Sequence, residues 1–230
     1  MRFIDPKTGI ESDSLYKMFE LDKKWKKVIC FIGAGGKTTM IYQLAEELAA
    51  MEKKVIVTTS THMQKARLNF VEWGTPFEVE EGQIITTGVS CSDTKIKSFD
   101  LDAYAELAKK ADVMLVEADG SRKMPLKVPA SHEPVLVEGT DLVIGILGVN
   151  SVGNTIENVA QRPSDVAGVL GKDVKDIVTM KDLIAIGESE NGLHKGVDCD
   201  YKILLNQWTG QPVTKDGLYD IVLCEKRSGN

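Results

Sequence analysis

The residues with the clearest chemical meaning are Gly33-Ala34-Gly35-Gly36-Lys37-Thr38-Thr39. Small residues there let the backbone turn so that successive N–H groups point at one anion. The run follows the apolar stretch Val28–Ile32, and the residues from Thr38 onward have the pattern of a helix. The N-terminus of such a helix offers further open N–H groups and the positive end of its dipole. In this setting the Lys37 ammonium reaches the β- and γ-phosphates of a nucleoside triphosphate, and the Thr38 hydroxyl ligates Mg²⁺. The match is to the short form G-x-x-G-K-T-T, because Phe31 stands where the longer pattern has its first glycine. The alternative is a glycine-rich strand-to-helix turn that binds nothing.

A second candidate lies at the end of another apolar run, Val113-Met114-Leu115-Val116-Glu117-Ala118-Asp119-Gly120. An acid at the end of a neighbouring strand holds Mg²⁺ in phosphate-loop proteins. Glu117 and Asp119 are two apart, so a strand directs both to one side. The alternative is a strand end meeting water. The next fourteen residues, Ser121 to Pro134, carry Arg122, Lys123, Lys127 and His132 among three prolines. Arg122, Lys123 or Lys127 suits a second anionic group or the γ-phosphate, although a short charge run usually means a solvated loop. His132 with Glu133 reads equally as an ordinary surface pair.

Three weaker elements complete the set. Thr58-Thr59-Ser60-Thr61-His62 offers hydroxyls near Mg²⁺ or is simple turn chemistry. Ile203-Leu204-Leu205-Asn206-Gln207 resembles the element that reads guanine in GTP-binding proteins, with Asn206 in place but Gln207 and Thr209 replacing its Lys and Asp, so ATP and GTP stay open. Gln161-Arg162-Pro163 supplies a cation or starts a surface helix.

Short β-rich runs must alternate with helices to position these residues. Strands are expected at Val28–Ile32, Val55–Thr59, Ile84–Thr87, Val113–Ala118, Leu142–Leu147 and Ile203–Asn206, with a weaker one at Tyr219–Cys224. Helices are expected at Thr38–Met51, Leu101–Lys110, Ser164–Leu170 and Lys181–Ile186. This alternation predicts an α/β fold, P-loop NTPase-like, with a mostly parallel central sheet and helices on both faces. Residues 1–230 read as a single nucleotide-binding domain. Residues 1–26 read as an appendage with one short amphipathic helix at Ser14–Leu21.

The chain has 230 residues, net charge −6, 43% hydrophobic and 27% charged residues, the profile of a soluble globular protein. An acidic balance argues against nucleic acid as the partner. No apolar run is long enough to span a bilayer, and the N-terminus lacks the apolar core of a signal peptide. Cys30, Cys91, Cys199 and Cys224 have no metal-binding spacing. Cys30 and Cys224 are expected as buried thiols, Cys91 is a free-thiol candidate, and a reducing cytoplasm is the expected setting.

Taken together, Gly33–Thr39, Thr58–His62, Glu117–Arg122 with Pro125-Leu126-Lys127 and His132-Glu133-Pro134 resemble the selenium-dependent molybdenum hydroxylase accessory family (YqeC-like, also called selenium cofactor biosynthesis protein). Gly148-Val149-Asn150, Arg162-Pro163, Gly192-Leu193, Lys195-Gly196 and Leu205-Asn206-Gln207 fit its later blocks, while Gln161 replaces an expected His. The resemblance implies an NTP-dependent accessory protein that helps mature a selenium-containing molybdenum enzyme, with that hydroxylase or its cofactor as partner. The seven-residue loop is also similar to that of Mur ligases, which use ATP to activate a carboxylate. Two further readings therefore stand beside the accessory NTPase: an ATP-dependent small-molecule kinase or ligase, and a nucleotide-responsive scaffold without turnover.

Overall fold

The computed structural model of the chain describes residues 1–66, 69–213 and 218–225. The chain opens with β1 (Arg2–Ile4), β2 (Glu11–Ser12) and the one-turn helix α1 (Leu15–Met18). Next come β3 (Val28–Gly33), α2 (Lys37–Ala50), β4 (Val55–Thr59), β5 (His62–Gln64), β6 (Phe70–Glu72), β7 (Ile84–Ser92) and β8 (Lys95–Lys97). The middle of the chain forms α3 (Ala103–Ala108), β9 (Val113–Glu117), β10 (Leu126–Lys127) and β11 (Leu142–Gly148). The rest forms α4 (Ile156–Val159), β12 (Ala160–Gln161), α5 (Pro163–Leu170), α6 (Met180–Glu188), β13 (Asp200–Asn206) and β14 (Asp220–Glu225).

One 12-stranded sheet runs in the order β2-β1-β14-β13-β11-β3-β9-β4-β7-β8-β5, with β6 on β7. Every pairing from β14 across to β7 is parallel, and β6 also lies parallel to β7. The antiparallel strands lie at the two ends, β1 and β2 at one and β8 and β5 at the other. All residues of β3, β4, β9 and β11 are buried, as strands covered on both faces require. Alternation then sorts their side chains. Ile29 and Phe31 point to the side of α1 and α2, while Val28, Cys30 and Ile32 join α3, α5 and α6. Helix α2 seals the first face with Met40, Ile41, Leu44, Ala45 and Leu48, the spacing of one apolar stripe.

The expected elements are present with shifted ends. The helix expected from Leu101 begins at Ala103, because Leu101 is 49% exposed and contributes nothing to the core. The weak C-terminal strand is real and parallel to β13. Residues 1–26, expected as an appendage, extend the same sheet: β1 pairs with β14, and Phe3, Leu15 and Phe19 are buried in the core on the α2 side. The antiparallel additions β5 and β8 were not anticipated, since three-residue strands carry no readable period. All four cysteines are free, with Cys30 and Cys224 buried. Among the described residues no helix is long and apolar enough to cross a membrane.

Phe3 is fully buried. Phe3→Ala should therefore destabilise the fold by roughly 3–5 kcal/mol in a denaturant titration; a change near zero would return the N-terminal segment to the status of an appendage.

Candidate functional site

The site forms where the chain reverses its direction of travel across the sheet. From β3 the chain winds out to β4 and β7, returns to β9 beside β3, then crosses to β11 on its other side. Such a switch point opens a crevice beyond the C-terminal ends of the strands. Glu117, the last residue of β9, lies in register with Phe31 on one side and Thr59 on the other.

The glycine loop joins β3 to α2 by close backbone contact. Gly33, Gly35 and Gly36 all have positive φ, at +94°, +85° and +126°. A Cβ on Gly33 would lie 2.2 Å from the Ile146 carbonyl oxygen, and one on Gly35 would lie 2.5 Å from the Gly148 nitrogen. Neither conformation nor space admits another residue there. Asn206, from the end of β13, donates from Nδ2 to the Gly35 carbonyl at 2.7 Å, while its Oδ1 accepts from the Gln207 N–H at 2.9 Å. Its side chain is thus spent on holding the loop, where the sequence suggested reading of a base.

Gly36 caps α2 without any side-chain hydrogen bond. The N–H groups of Gly35, Gly36, Lys37, Thr38 and Thr39 make no hydrogen bond among the described residues. These residues line one cavity of about 1140 Å³, together with Glu117, the Gly120–Pro125 loop, Thr61 to Gln64, Lys95, Gln161 and Arg162. Open N–H groups at the start of a 14-residue helix form an anion-binding surface.

Beneath the loop lies a chain of buried charges. Asp119 is fully buried; its Oδ2 accepts from the Gly33 N–H at 2.9 Å and sits 2.9 Å from Lys127 Nζ. Its Oδ1 lies 3.1 Å from Lys37 Nζ, which also donates to the Gly33 carbonyl at 2.6 Å and lies 3.9 Å from Glu117. Lys127 continues to Glu133 at 2.8 Å, and Glu133 to Arg162 at 2.7 Å. Buried ions survive desolvation only when paired in this manner. Glu117 accepts from the Thr38 hydroxyl at 2.7 Å. Burial raises the Glu117 carboxyl above the usual range, and the Lys37 charge and the Thr38 hydrogen bond only partly offset that. For Glu133 burial also pulls upward, but Lys127, the Ala130 N–H and Arg162 win and hold it down to about 2.

Several expected roles change. Lys127 has no exposed surface and is committed to Asp119, Glu133 and the Gly120 carbonyl, so it is not free to meet a ligand. Glu133 is no surface partner of His132; it is the buried acceptor for Lys127 and Arg162. Thr58, Thr59 and Ser60 spend their hydroxyls on the distant carbonyls of Thr87, Glu117 and Val135, tying β4 to its neighbours, and only the Thr61 N–H to Thr59 hydroxyl bond is local turn chemistry. Arg162 both caps α5 and supplies a cation to the cavity wall. Glu117 and Asp119 do both face Lys37, as their spacing suggested. The wall built by β5 and β8, including Lys95, escaped the sequence because nothing in those short polar strands marks it.

Fold and site thus define an α/β protein with a mostly parallel sheet and a glycine loop opening a helix at the sheet's switch point. The family model described as YqeC protein matches residues 29–164, more than half of the chain. The chain is also similar to the Escherichia coli (strain K12) protein bearing the name Uncharacterized protein YqeC, at 33% identity over 190 residues, covering 76% of this chain and 73% of that one. No solved structure matches it significantly. The chain belongs to the YqeC family.

The depressed Glu133 carboxyl makes a pH-dependent prediction. A carboxylate held below its ordinary value stabilises the fold above that value and loses the contribution as pH falls toward about 2. Glu133→Gln should cost about 2–3 kcal/mol at pH 7. In urea titrations that gap should narrow steadily below pH 4.5; a pH-independent gap would show that charge is not its cause.

Proposed function

We propose that this protein binds Mg²⁺ and a nucleoside triphosphate, ATP or GTP, in the cavity above the glycine loop, and that it hydrolyses the nucleotide. The observation that carries this reading is the row of open N–H groups from Gly35 to Thr39, with Lys37 in the same cavity wall and its ammonium held just beneath the loop. The β- and γ-phosphates would draw Lys37 from the Gly33 carbonyl and add hydrogen bonds from the loop. Asp119 would keep Lys37 charged and close, because its other oxygen is anchored to the loop and to Lys127.

The residues present fit Mg²⁺. Thr38 and Glu117 put two oxygen donors 2.7 Å apart on the cavity wall beside Lys37. Mg²⁺ favours one or two carboxylates plus substrate phosphates over a full protein cage. The described residues hold no cluster of three or more His, Cys, Asp or Glu side chains suited to a metal. Thr38 and Glu117 would hold the ion, and Asp119 stands behind them. When bound, the ion neutralises charge on the phosphate oxygens. The resemblance set out above, together with family membership, supports placing this chemistry in an accessory step of selenium-dependent molybdenum hydroxylase maturation, with that enzyme or its cofactor as partner.

Calorimetric titration with ATP and GTP, with and without Mg²⁺, tests the reading. Lys37→Ala removes a charged hydrogen-bond donor worth about 1.5–3 kcal/mol, so affinity should fall roughly 10- to 100-fold. Thr38→Ala should remove the benefit of Mg²⁺ and keep the fold. Absence of binding at millimolar nucleotide would end the proposal.

A further inference from the structure

The cavity stands at the upper end of the size range of ligand pockets, and its cations are distributed beyond the glycine loop. Pockets for drug-sized ligands measure roughly 300–1,000 Å³, and this open cavity measures about 1140 Å³. Arg122, Lys123 and Lys95 line it, and none of the three makes an ion pair or a side-chain hydrogen bond among the described residues. The cavity's acids are engaged elsewhere, Glu117 with Thr38 and Glu133 with Lys127 and Arg162.

The backbone supplies an independent observation. Seven described residues other than glycine have positive φ, and four of them, Arg122, Lys123, Arg162 and Gln207, line this one cavity. Arg122 and Lys123 are consecutive, at φ 49° and 64°. Left-handed backbone is unfavourable for long side chains and persists where the surroundings impose it, characteristically at ligand sites. Three lining residues also keep polar atoms that are buried and without a hydrogen-bond partner among the described residues: Thr61 Oγ1, Gln161 Oε1 and Arg162 Nε, the last of which lies 3.3 Å from Asp165. An amide oxygen needs a donor, and a ligand hydroxyl supplies one.

We propose that the cavity contains a second subsite, in which Arg122, Lys123 and Lys95 receive the phosphate of a hydroxylated phosphate ester and Gln161 and Thr61 meet its hydroxyls. Two consecutive cations with a third on the wall of the same cavity suit a dianion, which favours phosphate over a single carboxylate. That this ester shares a reaction with the nucleotide rests on the function proposed above; its binding does not.

Glycerol 3-phosphate is a suitable probe for calorimetry on the full chain, with inorganic phosphate as its comparison and saturating Mg²⁺ and a non-hydrolysable ATP analogue as a second condition. The ester should bind more tightly than inorganic phosphate and should persist when the analogue is bound. The double substitution Arg122→Ala/Lys123→Ala should weaken it roughly tenfold or more, and Gln161→Leu should erase its advantage over inorganic phosphate. Circular dichroism of both variants confirms the fold. The subsite is refuted if the wild type does not bind the ester, if the double substitution leaves affinity unchanged, or if the analogue displaces the ester. Loss of ester binding in a Lys37→Ala protein whose circular dichroism is that of the wild type refutes it too, since the probe would then be sitting in the glycine loop. If the analogue fails to bind while ester binding follows Arg122 and Lys123, the nucleotide reading falls and the subsite stands.

Discussion

Everything in this site depends on one carboxylate removed from water. Asp119 accepts a hydrogen bond from the Gly33 N–H and lies between the ammonium groups of Lys37 and Lys127. An aspartate at zero exposure is tolerable only with such partners. In return it fixes where the loop leaves β3, where the helix lysine rests and how the segment after β9 folds back. Because the partners come from two separate stretches of chain, the glycine loop and β10, the loop is set by the sheet around it as well as by its own glycines.

The same pairing extends outward. Lys127 passes to Glu133 and Glu133 to Arg162, so alternating charges run from the glycine loop to the cavity wall. A negative ligand arriving at Lys37 would enter a network already balanced in its absence. The open N–H groups of the loop are then the uncommitted attraction, and Lys37 is the one buried cation of the network that also lines the cavity. This division separates residues that shape the site, such as Asp119, Lys127 and Asn206, from cavity-lining residues that would meet the proposed ligand, such as Thr38, Glu117 and Arg122.

Much of the scaffold was legible because burial on both faces leaves an unmistakable mark. Val113-Met114-Leu115-Val116 fitted a strand covered on both faces, and the apolar stripe of α2 declared itself by period. The glycines before Lys37 also announced the turn that the structure contains. What stayed hidden was pairing across space. Lys127 and Glu133 sat in a run of charges and prolines that reads as a solvated loop, and only the return of that loop onto β9 buries them. Asn206 carried a strand-end signal but no hint that its amide would brace Gly35. The strands β1, β5 and β8 are too short to show alternation; they exist because β14, β8 and β7 respectively offer them an edge.

The central claim is that the backbone amides from Gly35 to Thr39 form a polyphosphate cradle. Two-dimensional ¹⁵N–¹H NMR during addition of Mg²⁺ and ATP observes those amides directly. The account predicts large, saturable shifts confined to this stretch and its neighbours around Glu117. Saturable shifts elsewhere, with these amides unmoved, would contradict it.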